Sequence, residues 1–262
     1  MMQVGDYRID PVLDGHARFP PTLAWQGTRE EEWAPHRDLL DADGNLEFAM
    51  GGFLIRGGGR TTLVDLGLGE RRFAGIDGGG FLDSLAALGV APPDVTDVVF
   101  THLHFDHIGW AAGADGRPTF AHAAYRCHPA DWHHFTVEHP GREAEMLEPV
   151  AGHIEMWSGD GSLLPGLDTL SAPGHTPGST VLVVSSGEDR AMLLGDVVHC
   201  PVELVDDEWD GMWDVDPDLA KRTRVALNRE IEGSDVPVAA AHFPGLRFGR
   251  LLAGQGRRRW VV

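Results

Sequence analysis

Cysteine is scarce: Cys127 and Cys200 are the only two among 262 residues. Two thiols cannot build a disulfide framework and make one bridge at most. Long apolar runs are missing as well, since no window approaches the roughly 18 uninterrupted apolar residues of a membrane helix. The opening stretch, MMQVGDYRIDPVL, carries Asp6, Arg8 and Asp10 where a secretory signal needs an apolar segment. These absences predict a cytoplasmic protein with no membrane partner. Basic residues are also few, 21 against 40 acidic ones, for a net charge of −19. Such a surface repels polyanions and argues against a nucleic-acid partner, while keeping the chain soluble.

Glycine, by contrast, is abundant, with 34 residues against an average usage of about 7%. That excess predicts many tight turns between short elements. A weak alternation from Gly5 to Leu13 suggests an edge strand. Residues 19–45 read as irregular, with 1–50 as a whole forming an N-terminal arm to one domain spanning 1–262. Phe48 to Arg56 and Thr61 to Asp65 are β-rich runs that Gly57, Gly58 and Gly59 join into a hairpin. Phe81, Leu82, Leu85 and Leu88 have helical spacing, and Gly89 stops the helix.

Asp97 to Thr101 and Thr119 to Arg126 read as strands, followed by a short helix around Ala130 to Phe135 on whose surface His133 and His134 are solvated. Later strands are expected at Asp168–Ser171, Thr180–Ser185, Ala191–Leu194 and Val236–Ala241. Pro217 to Ile231 reads as a helix capped by Asp216, and a basic tail closes the chain. Two successive β-rich halves, each with helices, predict an α+β chain with two sheets packed face to face and helices outside.

The strongest chemical signal is Thr101-His102-Leu103-His104-Phe105-Asp106-His107. A strand ending here would place His102 and His104 on one side, because side chains alternate with period two. Three imidazoles and a carboxylate within six residues suit a borderline metal such as zinc better than an incidental polar turn. Three single residues sit in matching contexts. His175 follows Ala172-Pro173-Gly174, Asp196 ends Met192-Leu193-Leu194-Gly195, and His242 ends Val238-Ala239-Ala240-Ala241. Each alone is weak. Together they are ligand-type side chains leaving the ends of apolar strands, with Gly195 expected to let the backbone approach a metal.

In order and context these residues resemble the signature of the metallo-β-lactamase superfamily, over about Gly51 to Pro244. The resemblance implies a four-layer αβ/βα sandwich with two sheets flanked by helices. It also implies two divalent ions, with zinc the expected metal. One ion would be held by His102, His104 and His175, the other by Asp106, His107 and His242. Asp196 would bridge them, and Asp65 would lie beneath the site, orienting a ligand histidine. A hydroxide between the ions would be the nucleophile, steered by Asp106.

Within that superfamily the bridging Asp196 argues against the zinc β-lactamases, which lack it. Only the 20 residues from Phe243 to Val262 follow the last ligand, too few for the helical domain of glyoxalase II. His104 stands where flavodiiron reductases place Glu, and the nuclease branches add further domains or basic arms. The pattern resembles the lactonase and organophosphate-hydrolase branch. It departs from the lactonases in one respect: they carry a Tyr shortly after the bridging aspartate, whereas Tyr7 and Tyr125 are the only tyrosines here. His199 occupies that region, either as a substitute donor and catalytic residue or as a packing residue. Trp110, three residues beyond His107, is the first candidate for the pocket wall, followed by Trp25, Trp33, Trp209 and Trp213. Cys200 is read as a buried small residue.

The expected activity is hydrolysis of a lactone or related ester. Phosphotriester hydrolysis and iron-dependent sulfur dioxygenation are the alternatives, and a non-catalytic scaffold is disfavoured because all seven ligand positions are filled. The expected partner is a small-molecule substrate, with a homodimer as the candidate assembly.

Overall fold

Strand periodicity writes the layering directly. In a computed structural model that describes every residue except Gln26, Ala74, Ser158 and Gln255, Thr180–Ser186 sends Leu182 and Val184 to one face and Val181 to the other. Asp189–Leu193 does the same with Ala191 and Leu193 against Met192. Such alternation buries both faces of a sheet only if it is covered on both sides.

Among the described residues, nine strands form the large sheet. Its main path runs Arg72–Phe73, Ile76–Asp77, Tyr7–Phe19, Leu46–Gly57, Arg60–Val64, Asp97–Val99, Ala124–Cys127 and Ile154–Met156, with Met2–Val4 paired on Tyr7–Phe19. The smaller sheet joins Gly161–Leu164, Leu167–Ser171, Thr180–Ser186, Asp189–Leu193 and Val238–Ala239. Between the sheets, Ile9, Phe53, Ile55, Val64 and Val99 meet Leu167, Leu182, Val184, Leu193 and Ala239. Outside the large sheet, the helix Phe81–Ala87 buries Phe81 and Leu85 with Leu54, Leu63 and Val98. Outside the small sheet, the helix Pro217–Ile231 buries Leu227 and Ile231 with Val181 and Met192. The result is the expected four-layer α+β sandwich.

Local signals explain several boundaries. Asp216 caps the helix Pro217–Ile231 by accepting from the Leu219 amide at 3.0 Å, with Pro217 at the first helical position. Gly58 and Gly59 take left-handed backbone, φ 57° and 74°, in the two-residue turn between Leu46–Gly57 and Arg60–Val64.

Other expectations need correction. The first long strand is Tyr7–Phe19, not an edge strand over 5–13; it lies between Ile76–Asp77 and Leu46–Gly57. Residues 2–19 are therefore built into the sheet rather than forming an arm. Its charged residues hid it: Asp10 is buried by pairing with Arg8 and Arg56 at 2.8 and 2.7 Å. Residues 20–45 contain one helical turn, Pro21–Ala24, and a 3-10 segment, Glu30–Leu39. The strands expected at 97–101, 119–126 and 236–241 shorten to Asp97–Val99, Ala124–Cys127 and Val238–Ala239. The basic tail folds as a hairpin, Arg250–Gly254 with Arg257–Val261. Both cysteines are buried and unpaired. No helix among the described residues is long and apolar enough to cross a membrane.

Candidate metal centre

The ligand-type side chains emerge where strands of both sheets end along one seam. Asp65 follows Arg60–Val64, the 102–107 run follows Asp97–Val99, His175 follows Leu167–Ser171, Asp196 follows Asp189–Leu193 and His242 follows Val238–Ala239. The strand before His102 stops at Val99, so the loop rather than the pleat brings His102 and His104 together. They meet through unlike nitrogens, His102 Nε2 to His104 Nδ1 at 3.1 Å, and His104 Nδ1 lies 2.9 Å from His175 Nε2.

The Asp196 carboxylate stands at the middle. Its Oδ2 is 3.8 Å from His102 Nε2, 3.5 Å from His175 Nε2, 3.4 Å from His107 Nε2 and 3.1 Å from His242 Nε2. Asp106 Oδ2 completes the second group, 3.6 Å from His242 Nε2 and 4.0 Å from His107 Nε2. All seven residues are thus brought together: His102, His104 and His175 lie in one close group, Asp106, His107 and His242 in another, and Asp196 also groups with His102 and His107.

The outward nitrogens fix which atoms face inward. His107 Nδ1 donates to Asp65 Oδ2 at 3.0 Å, His242 Nδ1 to the Ala49 carbonyl at 2.9 Å, and His175 Nδ1 to Asp214 Oδ1 at 3.1 Å. The Thr101 hydroxyl donates to Asp65 Oδ2 and so accepts from His102 Nδ1 at 3.1 Å. With their protons on Nδ1, all four residues aim Nε2 lone pairs at one another and at two carboxylates. His107 Nε2 and Asp196 Oδ1 are buried without a hydrogen-bond partner. Lone pairs converging in a buried space repel unless cations lie between them. The donor set therefore fits two divalent ions of the borderline class.

Ionisation agrees with this. Burial, then the neighbouring imidazoles, pulls His104 and His175 down to about 3 and His102 well below its usual value, so all three are neutral. His107 is held well above the usual range: burial lowers it, but Asp196, Asp65 and Asp106 prevail. These are the same negative groups that would attract a cation in place of that proton.

Three supporting residues had no sequence signal. Asp131, fully buried, accepts from the Leu103 amide at 3.0 Å, the Thr176 hydroxyl at 3.0 Å and the Gly178 amide at 2.6 Å, tying the two ligand loops together. Asp214 orients His175. Asp14 accepts from the amides of Leu68, Gly69, Gly79 and Phe81 and from Trp110 Nε1. Each is a lone carboxylate whose partners are distant in sequence, so only the fold reveals it. Gly195 also differs from expectation. At φ 54°, a Cβ there would lie 2.7 Å from Thr101 Oγ1, so the close approach is to Thr101 rather than to a metal.

A cavity of about 220 Å³ opens over the centre, lined by Ala17, Phe19, Phe48, Met50, Ile76, Phe105, Trp213 and the candidate ligands His104, Asp106, His175, Asp196 and His242, with His199. Trp110 is not part of this wall. Its indole is buried in the core of the large sheet and bonded to Asp14 at 2.9 Å. Trp25, Trp33 and Trp209 are also corrected from wall to core, packed edge-on with ring centroids 5.4 Å (Trp25–Trp33) and 4.7 Å (Trp33–Trp209) apart. Only Trp213 of the five candidates reaches the cavity.

A metallo-beta-lactamase superfamily profile matches residues 52–242. The chain belongs to that superfamily. It is 28% identical over 154 residues, 56% of each chain, to the N-acyl homoserine lactonase AiiA of Bacillus thuringiensis subsp. kurstaki. It is 32% identical over 127 residues to the N-acyl homoserine lactonase AttM of Rhizobium radiobacter, 44% of this chain and 45% of that one. The chain spans about half the length of the curated relatives it matches. In fold it is similar to AidC, a dizinc quorum-quenching lactonase, with a TM-score of 0.88 and 21% identity over 99% of this chain and 95% of that one. The hydrolase AbOPH gives a TM-score of 0.86 and 23% identity over the same shares.

Proposed function

We propose that the chain is a two-metal hydrolase that opens a lactone or related uncharged ester. The observation that carries this reading is the convergence of four Nε2 lone pairs on two carboxylates, with Asp196 Oδ2 within 3.8 Å of nitrogens from both ligand sets. His102, His104 and His175 would hold one ion and Asp106, His107 and His242 the other, with Asp196 shared. When bound, such a pair supplies a water acidified to a pKa of about 7 or below as nucleophile, and polarises the carbonyl under attack.

The chain's own residues do the rest. Asp106 lines the cavity and accepts a hydrogen bond from the attacking water, fixing its direction. Asp65 and Asp214 hold His107 and His175 in the tautomer that leaves Nε2 free. His199 offers its Nε2, buried and unpartnered, to the substrate carbonyl or the departing alkoxide. Burial lowers its pKa, but Glu203 and then Asp196 raise it above the ordinary imidazole value.

Selection rests on the wall. Among the described residues no Lys or Arg lines the cavity, whose apolar side is Ala17, Phe19, Phe48, Met50, Ile76 and Trp213. It is small beside ligand pockets of about 300–1,000 Å³, which favours a compact neutral ring with a short apolar substituent. The relatives named as N-acyl homoserine lactonases support the lactone class. Steady-state rates on metal-quantified protein, with matched lactones, aryl esters, thioesters, phosphotriesters and a β-lactam, test the reading. The expected result is two zinc per chain and highest kcat/KM on a lactone. A phosphotriester preference would move the activity to phosphorus, one iron per chain would favour sulfur dioxygenation, and a β-lactam preference would overturn the reading.

A further inference from the structure

Outside the centre, one other group of ligand-type side chains converges among the described residues. The donor atoms of His134, Glu138 and His139 all lie within 4.8 Å of one another. Their meeting depends on an unusual stretch of backbone. After the α-helical turn Pro129–His133, residues His134–Glu138 form a π-helical turn, closed by the His139 amide donating to the His134 carbonyl at 2.8 Å. In an α-helix the fifth residue on is rotated by about 140° and faces away. The wider turn brings both the fourth and the fifth residue back over the first, so Glu138 and His139 straddle His134. Such turns are rare and recur at functional sites.

The two sides of this turn have different work. Inward, Phe135 packs edge-on against the ligand His104 with ring centroids 5.3 Å apart. Outward, the His134 and His139 rings stand 4.7 Å apart, and Glu138 reaches both His134 Nδ1 at 3.8 Å and His133 Nδ1 at 3.3 Å. His134 is mostly buried, 13% exposed, which makes it a fixed anchor and corrects its expected solvation. Glu138 is 53% exposed and His139 is exposed, so both can adjust.

We propose that His134, Glu138 and His139 form a peripheral site for one divalent transition ion, separate from the two-metal centre. Two imidazoles and one carboxylate are the donor set that zinc, nickel or copper prefers over magnesium or calcium. Bonds of about 2.0–2.1 Å place neighbouring donors about 3.3 Å apart. The present spacing therefore closes with a shift of about 1–1.5 Å in two exposed side chains, leaving remaining positions to water or His133.

The test uses protein already loaded with its two metals and titrated with nickel chloride, followed by dialysis and counting of all metals. Wild type is expected to retain a third equivalent. The Glu138→Gln/His139→Ala double variant should lose that equivalent while keeping two metals and unchanged turnover. His122→Ala, an exposed histidine outside the cluster, should keep all three. Cupric ion in place of nickel should show nitrogen hyperfine coupling from two imidazoles in wild type and His122→Ala but not in the double variant. Absence of a third equivalent from wild type, or its survival in the double variant, would overturn the proposal.

Discussion

The metal centre and the wall of the cavity above it face each other, yet they come from different kinds of chain. The centre stands on strand ends of two sheets, where His102, His107, His175 and His242 are each locked by a hydrogen bond at the outward ring nitrogen. The wall comes from the end of the strand Tyr7–Phe19, the start of the strand Leu46–Gly57, Ile76 and the segment before the helix Pro217–Ile231, with Trp213 as its largest member. A strand end aims a side chain by backbone geometry, and the residue type then declares its purpose. A wall residue is aimed by tertiary packing, which the same residue type satisfies equally well in the core. Trp25, Trp33, Trp209 and Trp110 show this by lying in the interior.

The largest expected effect falls on the centre. Asp196→Asn removes the one carboxylate oxygen shared by nitrogens of both ligand sets. At least one metal per chain should be lost on dialysis. Without the paired ions, kcat/KM should fall about 10³-fold, equivalent to several kcal/mol of transition-state stabilisation. Metal counting alongside kinetics checks this. A variant that keeps two tight metals and full activity would remove Asp196 from its bridging place and erase the contrast between centre and wall.

The wall should respond differently. Trp213 touches His199 with ring centroids 4.9 Å apart and crosses Trp25 at 5.9 Å, but it donates to no ligand. Trp213→Ala should leave metal content unchanged. It should remove apolar contact worth about 1–2 kcal/mol, raising KM roughly tenfold for substrates with an apolar substituent and much less for the unsubstituted ring. Equal losses on both substrates, or loss of metal, would mean that Trp213 serves the centre instead.

The same contrast explains what the sequence showed. The side chains that converge were legible because His102 to His107, Asp196 and His242 each follow an apolar run. The helix Pro217–Ile231 was legible because Asp216, Pro217 and a helical apolar spacing all mark it. The strand Tyr7–Phe19 was legible only in its first half, because Arg8, Asp10 and Asp14 break its alternation, and their partners Arg56 and the 68–81 loop amides lie far along the chain. Asp131 and Asp214 escaped for that reason too. Trp110 was misplaced because nearness to His107 in sequence does not give the direction of its side chain, which Asp14 sets.

A single short strand, Asp97–Val99, sharpens the comparison further, since its far end leads to His102 while its near end is a buried ion pair. Asp97 is 1% exposed and is held by Arg60 at 2.8 Å, by the closely apposed Arg126 and by the Thr96 hydroxyl at 2.6 Å. Burial pushes its carboxyl up, but Thr96, Arg60 and Arg126 together hold it below the ordinary 3.8. A carboxyl lowered in the folded state stays ionised to lower pH than in the unfolded chain. Its stabilisation is therefore complete above the unfolded value and lost as pH falls through the folded one. Asp97→Asn should destabilise the protein at pH 7 by about 2 kcal/mol, less than a fully buried pair, because Arg60 is 40% exposed and screened. Metal content and kcat at pH 7 should not change. Urea midpoints of metal-stripped wild type and variant, compared from pH 7 down to about 3, should draw closer once pH falls below the ordinary 3.8, because protonation then begins to remove the same charge in the wild type. A gap that stays constant across that range would show that packing, not the ion pair, accounts for the loss. A fall in kcat at pH 7 would show that the two ends of the strand are coupled.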